Sequence, residues 1–244
     1  MDPILVSYLS LRYESEEERK YLQGLASQYL LASESESYHM ALFAYHLLFM
    51  SFVYQTIHKI KTWLPENFRL ALITFPTRDR NEYLNTSSPW VYSGMNERTV
   101  FGLLHVLVDC DNLVAACKAT VDYRNGLGHA NPILVGKEEF YTKVGEYDAL
   151  AGQIQVLTHD QLVRVFAEFT SSCDSVDSLT ADDIELGLIV PNRLSVKDLE
   201  CFAADCSLGE LPIHTKINSI LRDDFGVDVA LIWVAGKHPK GLLL

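Results

Sequence analysis

Apolar positions recur with helical spacing through most of the chain, and strand-like alternation is confined to one short stretch near the end. Ser15-Glu16-Glu17-Glu18 joins an N-cap residue to acids in a first turn, where the helix dipole favours negative charge. It predicts a helix over 15–31. Ser33-Glu34-Ser35-Glu36 repeats the signal and predicts a long helix over 35–64, closed by Pro65. Residues 40–54 inside it are nearly all apolar. A membrane span needs about 20 such residues. This run is shorter and contains His46, with His39, Gln55 and His58 close by, so it predicts a fully buried central helix and no membrane role. His39 and His46 are seven apart and share a face; they read as core or rim histidines rather than metal ligands.

Residues 65–95 are punctuated by Pro65, Pro76, Pro89, Asn85, Ser87, Ser88 and Gly94 and predict an irregular segment. Phe75, Tyr83, Trp90 and Tyr92 lie there among Arg69, Arg78 and Arg80. Such a loop can pack on its own aromatics or clamp single-stranded RNA. Asn96 then caps a predicted helix over 97–124. Val100, Leu107, Val114 and Val121 form one seven-spaced row, and Leu103, Cys110, Cys117 and Arg124 the neighbouring one. Arg124 therefore ends an inward stripe and should point into a cleft at the end of a bundle. A buried Arg needs a carboxylate or an anion beside it; Asp122 or a distant acid is the expected partner.

Further helices are predicted over 137–151 and, capped by Thr158, over 158–172. Ser171-Ser172-Cys173-Asp174-Ser175 marks a boundary, dividing the chain into 1–172 and an accessory segment, 173–244. The latter is acidic, with short helices expected over 180–188, 195–204 and 212–224 and a strand over 227–234. The fold class is all-α: an antiparallel helical bundle with a small mixed C-terminal appendage.

Composition narrows the chemistry. The 244 residues are 48% hydrophobic, ample for a core, and carry a net charge of −12. That balance argues against a broadly basic nucleic-acid surface. Five cysteines, odd in number and without CxxC pairing, predict a reduced, cytoplasmic chain with no zinc site. Met1-Asp2-Pro3-Ile4 lacks the basic-then-apolar order of a signal peptide. No phosphate-binding glycine loop, nucleophile elbow or metal-protease motif is found, and no cofactor is expected.

The densest chemistry lies in 121–132, Val-Asp-Tyr-Arg-Asn-Gly-Leu-Gly-His-Ala-Asn-Pro. Arg124 suits an anion and His129 a proton transfer. On an unbroken helix, five residues amount to about 500°, so the two would point about 140° apart. They share a site only if the helix ends between them, and Gly126 and Gly128 are expected to end it. Arg98 and His105 repeat the Arg–His pattern but fall on the opposite face of the predicted helix.

An Arg followed by a polar residue, with a His four to six residues beyond the Arg, resembles the HEPN superfamily; here these are Arg124, Asn125 and His129. The resemblance covers the motif and, loosely, the helical stretch 35–170. It implies a HEPN-like bundle and a metal-independent endoribonuclease cutting single-stranded RNA, often tRNA or mRNA. His129 would move the proton, Arg124 would stabilise charge growing on phosphorus, and Asn125 would orient the phosphate. It also implies a homodimer, a toxin or antiviral role, and an antitoxin or regulatory partner. One branch of the family carries a modifiable Tyr two residues after the His, where this chain has Asn131. A non-catalytic HEPN-type RNA- or nucleotide-binding module, or a protein-interaction module, is the alternative.

Overall fold

The computed structural model describes residues 3–13, 15–128, 134–173, 175–204 and 212–227. It is all-α: no strand occurs among the described residues. The chain forms two compact units, Met1–Thr158 and His159–Leu244, so the contacts divide inside a helix, ahead of the boundary expected near residue 173.

The first unit is built around α2 (Tyr38–Trp63), against which α1 (Glu16–Glu34) packs along its length. Ser15 caps α1 by accepting the Glu18 amide, with Glu16, Glu17 and Glu18 in the first turn, as the capping signal predicts. α2 is the expected buried central helix. It is long and apolar enough to cross a membrane, yet 83% of its most apolar window is buried inside the protein. Its rings meet those of later elements: Phe49 lies 6.2 Å from Phe101 and 5.2 Å from Tyr147, centroid to centroid.

Residues 65–95 are more ordered than expected. They form α3 (Pro65–Ala71), α4 (Thr77–Asn85) and a 3-10 helix, Pro89–Gly94. The prolines start these helices rather than break them, because a proline in the first turn lacks only a donor that no helix would use. Tyr83 and Tyr92 are buried and Phe75 packs on the core, so most of the segment's aromatics hold the bundle together.

The helix expected over 97–124 is interrupted. α5 (Glu97–Gly102) gives way to a 3-10 turn, Leu103–Val106, and α6 (Asp111–Gly128) starts afresh. Both halves keep their apolar residues inward: Val100, Leu103, Val114, Cys117 and Val121 are buried. A hydrophobic stripe cannot reveal a break that preserves its inward face. Asn96 caps α5 as predicted, accepting the Arg98 amide.

α7 (Lys137–Ser172) is one helix where two were expected. Thr158 does not cap a new helix; it is buried in the middle of α7, with its hydroxyl donating to the Gln155 carbonyl at 2.8 Å. A threonine satisfied by its own preceding turn needs no helix start.

The second unit contains α8 (Ala181–Ile184), which continues into a π turn, Glu185–Ile189, then α9 (Val196–Ala204) and α10 (Pro212–Phe225). Thr180 and Asp183 close a reciprocal capping box at α8. Ile184, Leu188, Leu194, Leu199, Ile217 and Leu221 fill its core. The expected strand over 227–234 lies outside the described residues except for Val227.

Candidate functional site

Helix α6 carries Arg124 one turn before its end. It runs through Gly126, which does not end it, and Gly128 is its last residue. A turn of α6 follows Arg124, and it restricts the guanidinium to the helix face that looks at α5. There its Nη2 donates to Glu97, the first residue of α5. The distant acid, not Asp122, is thus the partner of Arg124.

Asp122 is taken by Arg98, the next residue after Glu97. Two consecutive residues of α5 therefore pair, with opposite sign, to two residues on the last turns of α6. The pairs differ in setting. The Arg98 and Asp122 side chains are 50% and 59% exposed; those of Arg124 and Glu97 are 25% and 20%. Water screens the first pair far more than the second.

The polar cluster continues inward from Glu97. His46, fully buried on α2, places Nε2 3.4 Å from Glu97 Oε2. That is within electrostatic reach but off the line of a hydrogen bond, since Nε2 has none. Its Nδ1 lies 2.9 Å from the Tyr147 hydroxyl on α7. Burial lifts the Tyr147 pKa above the ordinary phenol range, which keeps the hydroxyl protonated. Tyr147 O–H donating to Nδ1, with Nε2–H facing the carboxylate, is the arrangement in which no lone pair opposes another.

Charge states follow from these contacts. Burial drives the His46 pKa below its ordinary value; the Glu97 carboxylate opposes the shift and the Arg124 charge adds to it. Burial works against the charge of Glu97, but the His46 and Arg124 donors facing it outweigh that, and its pKa lies below the usual carboxylate range. The cluster at neutral pH is therefore one carboxylate, one guanidinium and a neutral imidazole. Arg124 Nε is buried and has no hydrogen-bond partner. A guanidinium held on one edge by Glu97, with another N–H unbonded, retains capacity for an acceptor oxygen.

Of the three residues singled out in the sequence, Arg124 and half-buried Asn125 lie on α6, on adjacent faces. His129 lies outside the described residues. Glu97, His46 and Tyr147 were not singled out as site residues, since separations of 27 and 101 positions link them to their partners.

Two other features border this region. Glu97 also lines a cavity of about 760 Å³ between α1, α2 and the 87–97 segment. At the turn between α5 and α6, the ligand atoms of His105, Asp109 and Asp111 fall within 4.8 Å of one another. Linear spacing does not reveal that cluster. His105 Nδ1 there accepts the Cys110 amide at 3.4 Å, and Nε2 lies 3.4 Å from Asp111. The three side chains of the cluster are exposed.

No family model, curated protein or solved structure matches the chain.

Proposed function

We propose that the chain is a metal-independent endoribonuclease of HEPN type that cuts single-stranded RNA, tRNA or mRNA. The ribose 2′-hydroxyl attacks the adjacent phosphate, leaving a 2′,3′-cyclic phosphate and a 5′-hydroxyl. His129 moves the proton, Arg124 stabilises the charge that grows on phosphorus, and Asn125 orients the phosphate. The nucleophile belongs to the substrate, so DNA is inert. Two copies of the chain supply two sets of these groups to one cleft, and the enzyme acts in the cytoplasm as a toxin or antiviral effector under an antitoxin or regulatory partner.

The observation that carries this proposal is the setting of Arg124. It is held near the end of α6 by Glu97, only a quarter exposed, with Nε–H unbonded. A donor fixed in advance in a partly dry site is worth more to a developing anion than one that water must release. The test is incubation of the purified chain with a labelled single-stranded RNA, with and without EDTA. Cleavage in both conditions, lost in Arg124→Ala and His129→Ala, is the expected result. Intact RNA at enzyme excess overturns it.

A second reading is favoured by the same ion pair. Glu97 already satisfies the charge of Arg124, and a phosphate must displace or share that carboxylate. On this view the chain is a non-catalytic HEPN-type module that binds RNA, a nucleotide or a protein. Saturable RNA or nucleotide binding without cleavage would favour it.

A further inference from the structure

The pairing of α5 with α6 leaves a gap beside the last turn of α5. Glu97 pairs with Arg124 and Arg98 with Asp122. One turn forward on α5 and one turn back on α6 then set Gly102 against Lys118. Gly102 has no side chain to offer there, and a Cβ built on it would meet no atom beyond its own turn of helix within 4 Å. The gap belongs to a cavity of about 460 Å³, within the range of small-molecule sites. Phe75 and Leu103 give it an apolar side; Arg98, Thr99 and Lys118 give it a polar one.

The charge on the polar side runs against the net −12 of the chain. No Asp or Glu is among the described residues that line the cavity. Arg98 is matched by Asp122, to which its Nη2 donates, and a guanidinium has further N–H groups to offer. Lys118 is partly buried and has no ion pair or hydrogen bond among the described residues. Its ammonium is therefore the excess charge, and it keeps an accessible surface. An ammonium partly withdrawn from water, with no carboxylate beside it, favours an anion. Phe75 is partly buried too, and Tyr83 meets its ring edge-on, 6.0 Å away at 88°.

We propose that this cavity binds one nucleotide, free or as a unit of single-stranded RNA, with its phosphate at Lys118 and Arg98 and its base against Phe75. Hydrogen bonds from cations to phosphate are the strong kind, and the Thr99 hydroxyl adds a donor for a further oxygen. Donors on three residues suit the several oxygens of a phosphate better than a lone carboxylate. A base packs on an aromatic ring whatever its identity. A metal ion would be repelled by both cations, and an uncharged ligand would leave Lys118 unmatched. Arg124 does not line this cavity, so the site stands or falls apart from the cleavage chemistry.

The test uses the full chain in NMR titrations at constant ionic strength. The probes are adenosine 5′-monophosphate and a 2′-O-methylated tetra-adenylate, a strand that cannot be cut through its 2′-oxygen. Adenosine and inorganic phosphate serve as half-ligands. At least one probe is expected to saturate with a Kd at or below about 1 mM, and the tighter of the two identifies the free nucleotide or the strand as the source. Each half-ligand should bind at least about tenfold more weakly than that probe. Lys118→Gln should weaken the probe by about threefold to tenfold. Gly102→Leu, whose side chain fills the gap, should weaken it further. Helix content should hold in both by circular dichroism, since leucine is a better helix former than glycine. Failure of both probes to saturate, a half-ligand that binds as tightly as the probe, or affinity unchanged in either folded variant would each overturn the proposal.

Discussion

Glu97 and Arg124 face each other across the start of α5 and the last turns of α6, 27 positions apart in sequence. The carboxylate serves two helices at once, since it also faces His46 of α2. It is the charged centre of the cluster, and most of the expected behaviour of this region follows from it.

Glu97→Gln is expected to destabilise the first unit by about 1–3 kcal/mol, because it leaves a partly buried guanidinium without its charged partner. A double-mutant cycle with Arg124→Ala should return a coupling of about 1–2 kcal/mol in urea denaturation. The exposed pair Arg98–Asp122 should give less than about 1 kcal/mol in the same experiment. Equal couplings would show that burial does not separate the two pairs.

Stability should fall as pH is lowered from about 6.5. The folded protein holds the His46 pKa below its ordinary value, whereas the unfolded chain protonates near the ordinary value. Between those two values the unfolded state binds more protons, so acid favours unfolding. Glu97, also depressed, adds a second loss as pH falls through the carboxylate range. His46→Gln should lower stability at pH 7 and flatten the slope between pH 6.5 and 5, measured as urea midpoints. An unchanged slope would mean that folding does not depress the His46 pKa.

RNA cleavage is expected to drop by at least about 100-fold in Arg124→Ala, the scale of losing one fixed donor to a developing oxyanion. His129→Ala should fall similarly. His105→Ala, at the exposed turn, should retain the full rate. EDTA should leave the rate unchanged. Dependence on a divalent ion would instead direct attention to the His105, Asp109 and Asp111 turn.

The proposed catalytic unit is a dimer, since one Arg and one His are few groups for a base, an acid and charge stabilisation. Light scattering should give twice the chain mass, and specific activity should fall on dilution. Mixing Arg124→Ala with His129→Ala protein should restore part of the activity if the cleft is shared. A monomer with dilution-independent activity would exclude this arrangement.

What could be read in the sequence was what local chemistry decides. Ser15 and Asn96 cap the helices that they announce, and the apolar run of 40–54 is the buried centre of α2. Arg124 ends an inward stripe, as its row in the pattern implies. The misreadings have local causes too. Gly102 and the cluster Asp109-Cys110-Asp111-Asn112 marked the break after α5, but a stripe that stays inward on both sides masked it. Thr158 looked like a cap because a cap and a mid-helix threonine differ only in which backbone group the hydroxyl meets. Glu97 as the partner of Arg124 was out of reach, because only the turn between α5 and α6 brings them together.

That turn has a consequence for the order in which the cluster assembles. Were 97–124 one straight helix, Glu97 and Arg124 would stand about 40 Å apart. Folding back at 103–110 makes their meeting a short-range loop closure, which is fast and costs little entropy. His46 and Tyr147 are separated by 101 positions and meet only when α7 docks on α2. The charged pair is therefore expected to form early, while still wet, and the imidazole to be sealed against it late. Desolvation of Glu97 would then be the closing event in folding of the first unit, visible as an amide-protection step on α7 that lags behind α5 and α6.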